Sequence, residues 1–182
     1  QEVAPPSENS RQADGLFSTD MLGTAGRRIS ENVFVLKAEL YLDSTPLSSE
    51  LQGYMEELCS LTDKLSLEIS NETLEDRPCV RVCREDNVWT GLAFHGVPGG
   101  HEFTSFVLGL YNASGPGQTL EAEMLRSIQT LKSVDMKILV SLSCTMCPEL
   151  VTAAQRIAVE NPGITAEVYD LNHFPACGRS TR

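Results

Sequence analysis

One junction constrains this chain more than any other. The apolar run Met136-Lys-Ile-Leu-Val-Ser-Leu142 leads almost directly into Cys144-Thr-Met-Cys147, and a helical pattern starts at Pro148. A near-continuous apolar strand asks for a buried parallel neighbour. Two cysteines at this spacing, on a strand that turns straight into a helix, bring their sulfurs together across the first turn. The helix N-terminus adds unpaired N–H groups and a partial positive charge, both of which favour thiolate over thiol. Cys144, just before the turn, is the expected nucleophile, and Cys147, one turn inside, the expected resolving thiol. Pro148 suits a first helical turn, where the missing N–H costs little. From these residues alone, a pair of inert buried cysteines and a metal site stay open beside the redox pair.

The flanking sequence alternates strand and helix patterns. Val33–Leu42 is strand-like and ends at the turn Asp43-Ser-Thr-Pro46. Leu47, Leu51, Tyr54, Met55, Leu58 and Leu61 recur at helical spacing, with Ser44 or Thr45 as candidate cap. Short strands are expected at Leu65–Ile69, Cys79–Cys83 and Val88–Phe94, and Gly96-Val-Pro-Gly-Gly100 opens a helix from His101 to Tyr111. After the break Ser114-Gly-Pro-Gly117 the series resumes. A helix spans Leu120–Leu131, then come the strand and Cys pair, a helix from Pro148 to Glu160 closed by Asn161-Pro-Gly163, and a strand Ile164–Leu171. The order β-α-β-β-β-α followed by α-β-α-β points to an α/β fold built from two related units. Residues 1–30 are polar, carry Pro5-Pro6 and show no sustained period, which is the composition of a linker or disordered tail and suggests a join from an upstream module.

Fourteen Lys and Arg against 25 Asp and Glu give a net charge of −11, which argues against nucleic acid as partner. No stretch is long and apolar enough to span a bilayer. Six cysteines in a chain of 182 residues do not form a disulfide scaffold, so reduced thiols and a cytoplasmic location are expected. Cys79 and Cys83 fall on one strand face about 13 Å apart at ~3.3 Å per residue, too far to chelate one ion together. There is no Gly-x-Gly-x-x-Gly dinucleotide fingerprint.

Two segments carry a family resemblance. Ser141-Leu-Ser-Cys-Thr-Met-Cys-Pro-Glu-Leu-Val151, with Asn161-Pro162 beyond the helix, resembles the N-terminal domain of the flavoprotein component of bacterial alkyl hydroperoxide reductase, and Gly100-His-Glu-Phe-Thr-Ser-Phe-Val-Leu108 is similar to a run in that family. The resemblance covers Val33 to Pro175. It implies tandem thioredoxin-like folds sharing a central mixed sheet, residues 31–115 without a Cys pair and residues 116–182 with it. It implies a thiol–disulfide oxidoreductase whose Cys144 and Cys147 take electrons from a flavoprotein reductase module, in the same chain or separate, and pass them to a peroxiredoxin or another disulfide protein. FAD and NAD(P)H are then expected on a separate module, with no cofactor and no metal in this chain. Glu102 matches a family acid held near the Cys pair and linked to proton transfer, and Pro78 a cis-proline that opens the third strand. Two departures stand out: Thr-Met lies between the cysteines where the family has His-Asn, and the second fold is incomplete at its C-terminus, as in a truncated fragment.

Each of these residues also has a plainer role. Glu102 is favoured in any first helical turn. His101 suits a helix entry, Trp89, Phe94, Cys79 and Cys83 suit strand packing, Cys59 suits an apolar helix face, and Cys177 lies in a polar tail. His95 has no evident partner. Two other functions compete: a non-catalytic docking module or inactive fragment, and a Cu(I) or Zn(II) carrier using the Cys pair. The carrier is the weaker, because Leu142 stands where copper-carrier loops place Met.

Overall fold

The computed structural model describes residues 34–175 together with 23, 25–27 and 29. Its elements are β1 (Leu36–Tyr41), α1 (Pro46–Cys59), β2 (Leu65–Ile69), β3 (Cys79–Arg84), β4 (Trp89–His95), α2 (Glu102–Ser114), α3 (Ala122–Gln129), β5 (Val134–Val140), α4 (Cys147–Glu160) and β6 (Ile164–Asp170). The six strands form one sheet in the order β2-β1-β3-β4-β6-β5. β3 runs antiparallel to both neighbours, and the other pairs are parallel. The C-terminal ends of β1, β2, β4, β5 and β6 therefore meet at one end of the sheet, together with the start of β3.

Strand register sorts side chains into two faces. Ala38, Val82, Leu92, Ala166 and Met136 align across the strands in one row, and Leu40, Val80, Phe94, Val168 and Ile138 in the next. Both rows belong to the principal core, which α1, α2 and α4 close. In α1, Leu51, Tyr54, Met55 and Leu58 are all at most 1% exposed. Their spacing is that of a single helical face. Each such side chain contributes about 1.5–3 kcal/mol on burial. The opposite face carries the rows Glu39, Arg81, Ala93, Glu167, Lys137 and Tyr41, Cys79, His95, Tyr169, Leu139. Its apolar part is a small cluster of Tyr41, Cys79 and Ala93 with Leu74 and Trp89 against it.

Three expectations need correction. Part of the expected linker is structured: residues 25 and 29 are helical, and Ala25 and Ile29 are buried in the principal core. The rest of that stretch, through residue 33, lies outside the described residues apart from 23, 26 and 27. Thr45 occupies the N-cap position of α1 but makes no side-chain cap bond. Asp43 organises the entry instead, accepting from the hydroxyls of Thr45 and Ser48 and from the Thr45 N–H at 3.1 Å. β5 begins earlier than its apolar run suggests, at Val134, and sits at the sheet edge with β6 as its parallel neighbour. Leu142, expected in the strand, lies beyond it in the loop before the cysteines.

Candidate redox site

β5 delivers the chain to the end of the sheet where the parallel strands finish. Cys144 and Cys147 are disulfide-bonded there, with Cα atoms 5.6 Å apart. Cys147 is the first residue of α4, Met146 stands at its N-cap and Pro148 follows in the first turn. The loop is tied by the Cys144 N–H donating to the Ser141 carbonyl at 3.0 Å. The Cys147 N–H points at Cys144 Sγ at 3.2 Å. A main-chain donor on that sulfur, added to the helix N-terminus, favours a thiolate at Cys144 once the pair is reduced. Both cysteines are half-buried. Cys147 and Leu142 pack inward on the core. Outward, Met146 is 74% and Leu150 61% exposed, so apolar surface borders the disulfide.

The loop between β4 and α2 forms the second wall. Gly100 adopts φ +54°, and a Cβ there would lie 2.7 Å from the Leu142 carbonyl oxygen. The next residue, His101, donates its N–H to that same oxygen at 3.0 Å. Glu102 then opens α2 and is fully buried. Its Oε2 is hydrogen-bonded to the Ser105 hydroxyl, while its Oε1 is buried without a partner among the described residues. Burial raises its carboxyl above the usual carboxylate range, against the opposing pull of Ser105 and His101. Helices α2 and α4 lie side by side in the same direction. Thr104 and Ser105 border the same cleft as Pro148 and Thr152, and Gly117, beyond the other end of α2, approaches Arg156. Both helix N-termini thus face the cysteine loop.

Pro78 follows a cis peptide bond and immediately precedes β3, at the same end of the sheet, where its carbonyl accepts from the Gly96 N–H at 3.0 Å. His95, for which sequence offered no partner, is 3% exposed and fully engaged. Its Nδ1 lies 2.7 Å from the Asp76 carbonyl, its Nε2 3.0 Å from Glu167 Oε1, and its ring stacks on Tyr169 at 4.0 Å. The contact with Glu167 spans β4 and β6, so no local pattern could reveal it. Cys59, Cys79 and Cys83 are free thiols, Cys79 and Cys83 buried and Cys59 half-buried against the core. Burial pushes the Cys59 thiol up to about 12 and Cys83 to about 11, and drives Cys79 higher still. Among the described residues no three His, Cys, Asp or Glu side chains cluster as metal ligands. Cys177 lies outside them. A roomy cleft of about 780 Å³ opens between Phe34, Arg84, Asn112 and Glu160, towards the far ends of α2 and α4 and away from the disulfide.

No family model matches the chain. Among curated proteins it is 35% identical over 124 residues to the alkyl hydroperoxide reductase AhpF of Pseudomonas aeruginosa, an alignment that takes in 68% of this chain and 23% of that protein. It is 34% identical over 146 residues to a Bacillus subtilis protein named NADH dehydrogenase, covering 79% of this chain and 27% of that one. The chain therefore spans about a quarter of the length of these relatives. Among solved structures, the NTD_N/C domain of alkyl hydroperoxide reductase AhpF from Enterococcus faecalis superposes with a TM-score of 0.85 at 33% identity, covering 90% of this chain and 84% of that domain. A protein disulfide oxidoreductase from Aeropyrum pernix shares the fold alone, with a TM-score of 0.76 at 18% identity. With a third of its residues identical across most of a solved N-terminal domain, this chain belongs to the AhpF family of alkyl hydroperoxide reductases and has its tandem thioredoxin-like α/β fold.

Proposed function

We propose that this chain is a thiol–disulfide oxidoreductase domain, the dithiol relay of a flavin-dependent disulfide reductase. The observation that carries this reading is the Cys144–Cys147 disulfide at the N-terminus of α4, with the Cys147 N–H on Cys144 Sγ. Electrons would arrive from a flavoprotein reductase module, on which NAD(P)H would supply hydride and FAD would pass the two electrons on to a disulfide. They leave to a peroxiredoxin or another disulfide protein. The relay pair is assigned to a second unit, residues 116–182, which follows a first unit, residues 31–115, that carries no such pair. A cytoplasmic location suits a dithiol that must be reduced to work. No described helix is long and apolar enough to cross a membrane.

In this mechanism the Cys144 thiolate attacks one sulfur of the partner disulfide. A Cys144–partner bond forms, and the partner's second sulfur leaves as thiolate. Cys147 then passes its proton to the Glu102 carboxylate, and its sulfur attacks Cys144 Sγ. The Cys144–Cys147 bond closes, the mixed disulfide breaks, and the partner's first sulfur leaves as thiolate. Two electrons have moved to the partner. Glu102 gives its proton to a departing sulfur, and solvent supplies the other.

Thiol trapping with mass spectrometry across a graded dithiothreitol or glutathione buffer tests the relay. A reversible gain of two hydrogens on the Cys144–Cys147 peptide near the cytosolic poise, roughly −200 to −300 mV, is expected. Cysteines that stay alkylatable at every potential would reduce the chain to a docking module.

A further inference from the structure

Ser105 Oγ makes two contacts with the same residue: the Glu102 main-chain carbonyl at 3.0 Å and the Glu102 carboxyl oxygen Oε2. A serine hydroxyl has one proton to donate and two lone pairs to accept with. When Glu102 is ionised, both of its contacting oxygens are acceptors, so the single hydroxyl proton serves one and leaves the other. When Glu102 holds a proton on Oε2, that O–H donates to Ser105 Oγ, and the serine proton turns to the main-chain carbonyl. Both states are thus accommodated by rotation of one hydroxyl, with no heavy atom displaced.

The position of Ser105 is fixed from the other helix. Ser105 is 1% exposed, and its own carbonyl accepts a hydrogen bond from Gln155 Nε2 at 2.8 Å. Gln155 is buried on α4, the helix that begins with Cys147. Its amide fills the space beside Gly109, where a Cβ would lie 2.8 Å from Nε2. Any larger residue at 109 would push out the group that registers Ser105 against the cysteine helix. Glu102 Oε1, buried and unpartnered among the described residues, remains the open acceptor of the carboxyl. The titratable group that acts on it is His101 from the preceding loop, and on α4 Glu149 and Arg156 border the cleft that Ser105 lines.

We propose that Ser105 is a positioning residue for proton handling at Glu102, its hydroxyl turning between Oε2 and the main-chain carbonyl as Glu102 gains and loses the exchange proton, with Gln155 holding it in register with the cysteine helix. This rests on Glu102 being the proton acceptor of the exchange reaction.

The test follows the Glu102 carboxyl carbon by NMR in ¹³C-Glu-labelled full chain, assigned with Glu102→Gln, alongside the pH profile of dithionitrobenzoate reduction by the reduced protein. Removing the hydroxyl in Ser105→Ala is expected to move the Glu102 midpoint up by about one pH unit, the scale by which a hydrogen bond to the charged carboxylate exceeds the one to its neutral form. The inflection of the rate profile should move with it. Ser105→Thr keeps the hydroxyl and is expected to leave both at their wild-type positions. An unmoved Glu102 midpoint in Ser105→Ala overturns the proposal, even if Glu102→Gln alters the rate profile. A rate profile that Glu102→Gln leaves unchanged overturns the underlying assignment of Glu102, whatever Ser105→Ala does to the midpoint.

Discussion

Gly100 and Leu142 meet backbone against backbone, close enough that a Cβ on Gly100 would stand 2.7 Å from the Leu142 oxygen. That contact joins the loop before α2 to the loop before the cysteines, and the adjacent His101 N–H bonds the same oxygen. Gly100→Ala adds both a clash with main chain and the strain of a positive φ. It is expected to cost about 1–3 kcal/mol and to slow disulfide exchange, because Leu142 cannot retreat without moving the Cys144 turn. Urea unfolding and exchange rates measured on one preparation check this. Wild-type values for both would show that the two loops are not coupled.

The two cysteines should separate cleanly by trapping. On the proposed division of roles, Cys147→Ser leaves Cys144 without its resolver, so a mixed disulfide with an aromatic disulfide probe should accumulate at Cys144. Cys144→Ser should accumulate little, since Cys147 is the inner residue packed on the core. Intact-mass spectra of the two adducts give the answer, and equal trapping would remove the division of roles.

Native-state alkylation near pH 8 should read the burial of the other thiols. Cys59 at about 12 and Cys83 at about 11 are almost wholly protonated there, and Cys79 is fully enclosed. Their peptides should stay unlabelled while the reduced relay pair reacts, and urea should expose them together. Rapid labelling of Cys79 in the folded protein would contradict the packing around Tyr41 and Ala93.

A half-buried carboxylate, Glu167, and a buried one, Glu102, push the pH dependence of stability in opposite directions. The hydrogen bond from His95 holds Glu167 below its ordinary value, in spite of burial. Its contribution is therefore present above the unfolded value of about 4.3 and is lost as pH falls through the folded one. Burial raises Glu102, so it binds its proton more tightly when folded, and a penalty sets in as pH rises from the unfolded value through the raised one. Glu167→Gln should lose about 1.5–3 kcal/mol near neutrality and nothing at strongly acid pH. The relative loss in Glu102→Gln should be smaller near neutrality than in acid, because the substitution also removes that penalty. Urea midpoints at several pH values check both slopes, and a Glu167→Gln deficit that is flat with pH would refute the assigned hydrogen bond between His95 and the Glu167 carboxylate.

Periodicity carries most of the architecture. Leu51, Tyr54, Met55 and Leu58 declare α1 because burial of one helical face leaves a mark every three or four residues, and the strand–Cys–helix junction marks the site for the same local reason. What stays hidden depends on contacts between distant segments. His95 meets Glu167, and Ser105 meets Gln155, through strand register and helix alignment that no short window of sequence contains. The buried Ala25 and Ile29 escape a periodic reading because glycines interrupt the surrounding pattern. Asp43 reads as a plain turn residue because capping rules look first at the residue next to the helix.

β4 is hydrogen-bonded to β6, and α4 packs against both. A cut between α2 and α3 would strip β4 of that neighbour and bare Leu92 and Phe94, while the remaining piece would hold, among the described residues, only β5 and β6, a two-stranded sheet that is marginal in water. With one sheet continuous across that cut, a single cooperative folding transition is expected for the two proposed units. Co-expressed as separate halves, each would supply the strand edge the other lacks.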